Sequence, residues 1–559
     1  MFQTLFLRFV VACLFVATFS TATSQDSVSL VQKAKEQIKV NGSIGYSQIL
    51  YSSLGAPSQR APFFWQVQAN LNIKVGIINM PFSARYNSQG ADASYPTLPT
   101  QIGMSPKYKD YTFHIGWRNM NFSEYSLAGN QFVGGGIEYN PKNFWISYKL
   151  VYGRFQKSDI FYDENRVILG VPTFERWGYG AQINFGKAGR RVGVHAFRAN
   201  DDPTSLVGSD TLGLTPNQNM VYGVTLDQKI TKQISVNGEM TWSALTTNTF
   251  IESDVQQAYS YLNNMGGLFN VNASTQLKKA ALLNLTYSPE KYNLKLSYRR
   301  VDPDYKSLGA VFLNNDLEDL TANLGFGVLQ NKMNLALSGG LQRNNIDGEK
   351  VTQTLRTIGA INLQYAPYEV WNIGLNYANF STNTSMSLIV DGIDTLRYAQ
   401  VTSSYGGNIM RLIKGEKVNQ SIMLMINQQA AITNDQRESQ TLVASLSETI
   451  TLTQLKANVA LAISATQTTA AGSQTQMIGP TISASKQLLN SKMAATTAVS
   501  YLSNMLNGAS NGTVLNARAG LNYTIGKHHN ANVNVAYTNR MLAVTTSELI
   551  ANMAYTFSF

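Results

Sequence analysis

The feature that most constrains this chain is the alternation of apolar and polar residues, which is clearest at its end. From Leu549 to Phe559 the odd positions are apolar or aromatic, and most even positions are small or polar. This period of two predicts a β-strand with two unlike faces. The same pattern recurs upstream, at 65–75, 234–244, 292–298, 335–341, 371–377, 457–465, 517–525 and 531–537.

The polar faces of these segments carry amide, hydroxyl and glycine residues rather than charges, as at Gln66, Gln68 and Asn70. A water-soluble sandwich would place its apolar faces inside and charged residues outside. Lipid outside and water inside is the arrangement of a transmembrane β-barrel. We therefore predict an all-β fold, a large antiparallel transmembrane β-barrel of about 26 strands, within a range of about 22 to 26.

Composition also favours a membrane protein without spanning helices. Charged residues make up 14% of the chain, whereas soluble domains contain about 25%. Beyond residue 24, no apolar run approaches the length of about 20 residues that a spanning helix needs. These observations exclude a helical membrane protein.

The N-terminus is predicted to be a secretory signal that is cleaved after Ser24. A basic Arg8 precedes an apolar stretch at 9–19, and small residues precede the cleavage position. The single cysteine, Cys13, follows Val-Val-Ala as in a lipoprotein box, but the apolar stretch continues after it, so we prefer the secretory interpretation. The mature chain then has no cysteine, which excludes disulfides and thiol chemistry.

Cleavage divides the precursor into a signal peptide at 1–24, a short periplasmic segment at 25–37 and the barrel at 38–559. Segment 25–37 is too short for a plug domain inside the lumen. This argues against a TonB-dependent transporter. It also leaves no room for periplasmic docking repeats.

Short and long connections are predicted to alternate between the strands. The short ones include 140–143, 186–191, 288–291, 330–332, 414–417 and 526–530. The long ones include 156–175, 200–220, 246–277, 301–319 and 381–401. Because barrels have short periplasmic turns and long external loops, an even number of strands places both termini in the periplasm. That number requires a short strand near 100–105.

Basic residues gather in the short turns, whereas Asp and Glu gather in the long loops. Much of the net charge of +11 therefore lies on the periplasmic rim. An anionic lipid leaflet is a sufficient partner for it. Nucleic-acid binding is not expected, because the chain has no basic patch with stacking aromatics and no recognisable module.

Catalysis has little support in the sequence. His114 and His195 lie in strand-like stretches and are interpreted as packed or lumenal, while His528 and His529 share a short turn. No nucleophile elbow, zinc-binding helix or phosphate loop is present. The acidic loop 301–319 could gather oxygen ligands for Ca²⁺, but its spacing fits no metal loop, so we favour a solvated rim. We expect no enzymatic activity, no cofactor and no metal.

Charged residues on inward faces would matter for a pore, because rings of like charge bias ion passage. By alternation the pore-lining candidates are Lys74, Lys295, Arg299, Arg356 and Arg518, with Glu239 of opposite sign. The alternative is that each is a lumenal bridge that holds a strand or a loop.

The last strand places Tyr555, Phe557 and Phe559 on its outward face. A final strand that closes on an aromatic residue resembles the insertion signal of outer-membrane barrels. Stretches 117–123 with 125–129, 174–180 and 300–309 are similar to a set of porin-like, largely uncharacterised outer-membrane barrels of Bacteroidota. This resemblance implies fold and an outer-membrane location after export, but it transfers no functional residue.

In that phylum, Asp-Thr-Leu triplets such as 210–212 and 394–396 resemble O-glycosylation sites. Both triplets fall in predicted external loops. The resemblance implies that these loops could carry glycans.

Two functions remain open. The first is a porin-like passive channel for solutes, since a barrel of this size encloses a wide lumen; loop 246–277, with apolar residues at 259–262, would fold in as a constriction. The second is a structural or assembly partner in a secretion or barrel-assembly complex. Its motivation is a set of loop aromatics that could form an interface, namely Trp117, Phe122, Tyr125, Phe161, Tyr162 and Phe174.

The expected partners are outer-membrane lipids and, during biogenesis, the barrel-assembly machinery. Other envelope proteins are partners in the second hypothesis.

Overall fold

The computed structural model describes residues 38–58, 60–88, 100–160, 172–206, 208–209, 212–251, 269–311, 313–386, 396–433 and 436–559. The predicted signal peptide and segment 25–37 lie outside these residues. Within the described ranges, no helix is long and apolar enough to cross a membrane.

The described chain consists of strands and their connections. The strands are β1 (Ile38–Leu54), β2 (Phe63–Val75), β3 (Ile78–Asn87), β4 (Gln101–Met104), β5 (Lys107–Tyr108), β6 (Tyr111–Asn119), β7 (Gln131–Tyr139), β8 (Ile146–Gln156), β9 (Arg176–Lys187), β10 (Arg190–Asp201), β11 (Gln218–Lys229), β12 (Ile234–Thr246), β13 (Thr275–Tyr287), β14 (Tyr292–Val301), β15 (Leu317–Val328), β16 (Met333–Arg343), β17 (Thr352–Tyr365), β18 (Trp371–Met386), β19 (Leu396–Ile413), β20 (Val418–Thr433), β21 (Gln436–Leu452), β22 (Ala457–Ala470), β23 (Ser473–Leu488), β24 (Met493–Leu506), β25 (Ala509–Ile525), β26 (His529–Met541) and β27 (Thr545–Ser558).

The strands form one closed antiparallel barrel. Each pairs with its neighbours in the chain, and β1 closes the wall against β27 from Ser43–Ser558 to Leu54–Ser547. Short β4 and β5 share one position between β3 and β6, so the wall has 26 positions. The predicted fold class and the short strand near 100–105 are both confirmed.

The wall encloses a wide lumen. Strands about 4.8 Å apart and tilted by about 40° give 26 positions a circumference of about 160 Å and a diameter of about 50 Å. Wall side chains cannot fill such a space. Loops or water must occupy it.

The two faces of the wall differ as the alternation predicts. Large apolar side chains remain exposed at alternate positions, as at Tyr46, Ile115, Leu283, Leu375 and Leu521. The positions between them face the lumen and are rich in Asn, Gln, Ser and Thr. A closed wall that is apolar outside satisfies its own backbone groups and can therefore span a membrane.

Connections at the end of the barrel where β27 stops are all short. They are 76–77, 109–110, 140–145, 188–189, 230–233, 288–291, 329–332, 366–370, 414–417, 453–456, 489–492 and 526–528. These match the predicted periplasmic turns.

Connections at the opposite, external end change along the chain. As far as β15 they are mostly long, as at 302–316, but after β20 they shorten to 434–435, 471–472, 507–508 and 542–544. The predicted alternation of short and long connections is therefore wrong for the C-terminal strands. The predicted long loop 381–401 is also wrong in its bounds, because β18 extends to Met386 and β19 begins at Leu396.

The wall has its fewest cross-strand pairs at β4 and β5. There, Gly103 lies opposite Ser83 on one side and Gly116 on the other. Arg118 of β6 reaches across this strand, because its Nη1 donates to Ser83 Oγ at 2.8 Å and its Nη2 to Pro81 O at 3.5 Å. Arg118 therefore ties β6 directly to β3.

Replacing Arg118 with alanine is expected to loosen this part of the wall. Loss of hydrogen bonds from a charged donor costs about 1–2 kcal/mol, which corresponds to about 5–30-fold faster amide exchange if opening is local. Hydrogen exchange followed by mass spectrometry should show the change at 101–108. Arg540→Ala, on a distant strand, is the control; equal effects of the two variants would contradict the assigned role.

Candidate functional site

Two external connections turn back into the lumen: residues 120–130, between β6 and β7, and residues 302–316, between β14 and β15. We call them the lumenal loops. Their large side chains are buried; Leu127 is 0% exposed and Tyr305 is 1% exposed. They therefore occupy part of the space that the wall encloses.

Apolar side chains of the lumenal loops pack on the inward face of the wall. Phe122, Leu127 and Leu308 belong to one buried cluster together with the wall residues Phe132, Val151, Phe197, Ala199 and Leu245. Full burial of one large apolar side chain stabilises a fold by roughly 1.5–3 kcal/mol relative to leaving it exposed. A dry core thus lies inside the barrel, against β7 to β12.

Glycines on the wall give the lumenal loops room. A Cβ on Gly180 would lie 2.8 Å from the ring of Phe122, and one on Gly136 would lie 2.7 Å from the terminal methyl of Met120. Real Cβ atoms do not approach so closely, so a larger residue at Gly180 would push the Phe122 ring away, and one at Gly136 would require the end of Met120 to move.

The two lumenal loops are also bonded to each other and to the wall. Tyr305 Oη donates to Tyr125 O at 2.8 Å, and Ser307 Oγ donates to Ser126 O. The wall residue Asn219 accepts from Leu308 N through Oδ1 at 3.0 Å. Burial raises the pKa of Tyr305 above its usual range, so its hydroxyl keeps the proton that it donates.

Tyr125 and Tyr305 provide a matched test of this arrangement. The buried Tyr125 hydroxyl finds no hydrogen-bond partner among the described residues, whereas Tyr305 leaves a buried carbonyl unpaired when its hydroxyl is lost. Tyr305→Phe should therefore destabilise the loops by about 1–3 kcal/mol, and Tyr125→Phe should be neutral or stabilising. Amide exchange at 120–130 measures both, and the opposite order would contradict the assignment.

His195 and Glu239, both inward-facing, lie beneath the first lumenal loop. Ser123 Oγ is 3.3 Å from His195 Nε2, and Glu239 accepts from Thr241 Oγ1 at 2.8 Å and from Ser123. A hydrolytic triad needs the carboxylate on the second imidazole nitrogen, but His195 Nδ1 has no partner within the described residues. The first lumenal loop thus covers Glu239, whose carboxylate joins Ser123 of this loop to β12.

A second group of serine, histidine and glutamate lies beside β4 and β5, where the wall has its fewest cross-strand pairs. Ser105 Oγ is 3.1 Å from His114 Nδ1, and Glu138 Oε1 is 3.3 Å from His114 Nε2. Ser105 follows β4, His114 belongs to β6 and Glu138 to β7. The group therefore joins three neighbouring wall positions where few backbone pairs exist.

Arg299 and Arg356 belong to one lateral row on the inner wall. In register, Arg299 of β14 is followed by Asp319, Gln342 and Arg356 on the next three strands. Arg299 Nη2 lies 2.6 Å from Asp319 Oδ2, so Arg299 forms an ion pair with the neighbouring strand. Arg356 Nη1 donates to the neutral Gln342 at 3.1 Å and lies over the Phe380 ring at 5.6 Å. It therefore keeps its charge in the lumen.

The other predicted pore-lining residues lie apart from this row. Lys74 is near the periplasmic end of β2, Lys295 is on β14 and Arg518 is on β25. All three are exposed. Arg518 also lines a concave part of the inner wall, of about 450 Å³, between β22 and β27.

The lumen is filled unevenly. Two buried apolar clusters of the described chain lie on the inner face, beside β7 to β15. Strands β17 to β27, together with β1 to β3, have no such cluster on their inner face in the described ranges; we call this part of the lumen the open half. Even the inward Phe380 there is 37% exposed.

The predicted constriction is not supported by the part of its loop that the structure describes. Phe269 and Val271 pack on Met220 and Ala244, which alternation places on the outward face of β11 and β12. The described end of loop 247–274 next to β13 therefore covers the outside of the wall. The apolar residues 259–262 lie outside the described residues.

Asp316 of the acidic loop 301–319 accepts hydrogen bonds from other parts of the protein. Asp316 accepts from Lys350 Nζ at 2.6 Å and from Ile346 N at 3.1 Å. The hydrogen bond that Lys350 donates to Asp316 raises the pKa of Lys350. Within the described residues, no group of three or more acids, histidines or cysteines could hold a metal.

Both Asp-Thr-Leu triplets fall partly outside the described residues.

Several loop aromatics that motivated the assembly hypothesis are internal. Phe122 is 7% exposed, Tyr125 2% and Phe174 6%. Phe161 and Tyr162 lie outside the described residues. Trp117 lies on the outward face of β6.

The terminal aromatics occupy the outward face at the seam that closes the barrel. Tyr555 pairs with Tyr46, and Phe557 pairs with Ile44. The rings of Phe557 and Phe559 lie 5.4 Å apart. Their role as an insertion signal stays a prediction.

No family model matches the chain, and no curated protein matches it. Among solved structures, OpdQ of Pseudomonas aeruginosa is similar over 77% of this chain and 98% of its own, with 11% identity and a TM-score of 0.31. The FrpB iron transporter of Neisseria meningitidis matches over 94% and 83%, with 10% identity and a TM-score of 0.35. The P pilus usher PapC translocation pore matches over 93% and 99%, with 8% identity and a TM-score of 0.24.

Proposed function

We propose that this protein is a porin-like passive channel in the outer membrane of a Gram-negative bacterium, and that solutes pass through the open half of the lumen. The observation that carries the proposal is the unequal filling of the lumen. The lumenal loops pack against β7 to β15, while the inner wall from β17 to β3 is polar and exposed. Export through the signal at 1–24 and kinship with the Bacteroidota barrels belong to the same proposal.

The external end supports a path through the open half. Four connections there, 434–435, 471–472, 507–508 and 542–544, are too short to reach across the lumen. A chain spans at most about 3.3–3.6 Å per residue, whereas the lumen is about 50 Å wide. These four connections therefore do not cover the mouth above β20 to β27.

A structural or assembly partner is the second candidate. Three of the aromatics that suggested it, Phe122, Tyr125 and Phe174, are buried and form no free surface. We therefore favour the channel. A stoichiometric partner captured by cross-linking in native membranes, combined with no conductance of the purified protein, would reverse this preference.

Conductance in planar bilayers tests the channel directly. We expect the purified protein to form open pores, and we expect larger ones when residues 121–129 and 303–315 are replaced by short Gly-Ser linkers. The reason is that the linkers empty the part of the lumen that the lumenal loops occupy. If neither protein conducts, although both are folded by circular dichroism, the proposal fails.

A further inference from the structure

The inner wall of the open half carries charge of almost one sign. Its described inward-facing charges on the strands are, with one exception, cations: Lys39, Lys74, Arg85, Arg356, Arg518 and Arg540. The exception is Glu548, whose Oε1 lies 3.5 Å from Arg540 Nη1. The side chains of Arg397, Arg437 and Glu438 lie outside the described part of the chain.

Three lysines lie in one lateral row near the periplasmic end. Lys39 is directly opposite Lys74 in the register of β1 and β2. Lys74 is followed across the wall by Asn79 and then by Lys107. Like charges directly opposite each other are destabilising in a sheet, so the arrangement favours an anion at this level.

The nearest acid along this row, Glu138, lies beyond Lys107 and has other partners. After Lys107 come Thr112 and then Glu138. Glu138 already faces Lys149 in register and lies 3.3 Å from His114. Lys107 therefore shares Glu138 with these groups, whereas Lys39 and Lys74 face no described acid in this row.

Arg356 and Arg518 are two further cations, which lie closer to the external end than the lysine row. Arg356 is held in place by Gln342 and by the face of Phe380. Arg518 lies among small and amide residues of the concave wall, including Ser483, Thr496 and Asn534. Neither side chain makes an ion pair with a described carboxylate, so both present full charges to the lumen.

From this charge pattern we propose that the open half conducts small anionic solutes, such as carboxylates and phosphates, in preference to cations. The proposal rests on the channel function argued above. Fixed cations on a low-dielectric wall raise the local concentration of anions and lower that of cations. Guanidinium groups also recognise carboxylate and phosphate oxygens through paired donors.

The test is the reversal potential of the protein in a planar bilayer under a KCl gradient. Ionic strength should be near 0.1 M, where screening extends over about 10 Å, and then near 1 M, where it falls to about 3 Å. We expect chloride to permeate better than potassium, and the preference to weaken at the higher salt concentration.

Charge-reversal variants identify the residues responsible. Lys39→Glu with Lys74→Glu should lower the chloride-to-potassium permeability ratio below one, and Arg356→Gln with Arg518→Gln should lower it less. Lys291→Glu, in the periplasmic turn between β13 and β14, reverses one charge off the inner wall and should leave the ratio unchanged. Inorganic phosphate should reduce chloride current in the original protein and less in the Lys39 and Lys74 double variant.

The outcomes separate the two proposals. Pores that prefer potassium, or that are unselective at 0.1 M KCl, overturn the anion preference and leave the channel function standing. An equal shift of the permeability ratio by Lys291→Glu also overturns it. Absence of any pore instead removes the channel function.

Discussion

Phe197→Ala is expected to destabilise the packing between the lumenal loops and the wall by about 3–5 kcal/mol. Phe197 is 1% exposed and lies at the centre of the cluster, where its ring contacts Phe155 edge-on at 5.2 Å. Removal leaves a cavity that the strand backbone cannot fill. Amide exchange should accelerate strongly at 120–130 and 302–316, and pore conductance should become larger or noisier.

Phe380→Ala is the matched control for this variant. It removes the same ring from the same inward face, but in the open half, where Phe380 is 37% exposed. Its main loss is the contact with Arg356, which is worth about 0.5–1 kcal/mol. If the two variants lose equal stability, the claim that one half is packed and the other is open is wrong.

Arg299→Met is expected to cost about 2–4 kcal/mol, because it leaves the carboxylate of Asp319 buried without its charged partner. Asp319 is 7% exposed, and Arg299 reaches it through Nη2 at 2.6 Å and Nε at 2.8 Å. The estimate stays below the upper values for fully buried pairs because about one third of the Arg299 side chain is exposed. Thermal unfolding in detergent measures the loss.

The double variant Arg299→Met with Asp319→Leu should recover most of that stability, because it removes both charges. Lys295→Met, on the same strand and the same face, replaces an exposed cation and should change stability by less than about 0.5 kcal/mol. Failure of the double variant to recover would show that Arg299 acts through something other than Asp319.

Much of the wall could be predicted because its signal is local. A period of two assigns each residue to one face without knowledge of its partners. The strand number, the short strand near 100–105 and the outward position of Tyr555 all follow from that rule. The stretch 381–401 was misjudged because its Ser, Thr and Asn residues are typical of loops but also suit the polar face of β18 and β19.

The lumenal loops could not be predicted in this way. Their contacts join residues far apart in sequence, such as Tyr125 and Tyr305, and no local pattern specifies such pairs. The available signal was the glycines on inward positions of β7 to β9, including Gly136 and Gly180. Without the loops in view, those glycines are ordinary for a strand next to a hydrated lumen.

The role of the six pore-lining candidates stays a prediction, because alternation gives a face but does not identify partners. Lys74, Arg356 and Arg518 present their charges to the lumen, whereas Arg299 is paired and Glu239 is covered. The difference arises from cross-strand register and from a loop that returns from the external side. Both are properties of the assembled barrel.

A cysteine scan along β25 tests the central claim, a closed wall with lipid outside and an open, hydrated lumen inside. Because the chain's single cysteine, Cys13, lies in the predicted signal peptide, each substitution introduces a unique thiol. In liposomes, cysteines at Arg518, Gly520 and Asn522 should react with a water-soluble thiol reagent, while those at Ala517, Ala519 and Leu521 should react with a lipid-soluble reagent instead. Uniform reactivity along the strand, or protection of the even positions from the water-soluble reagent, would contradict the account.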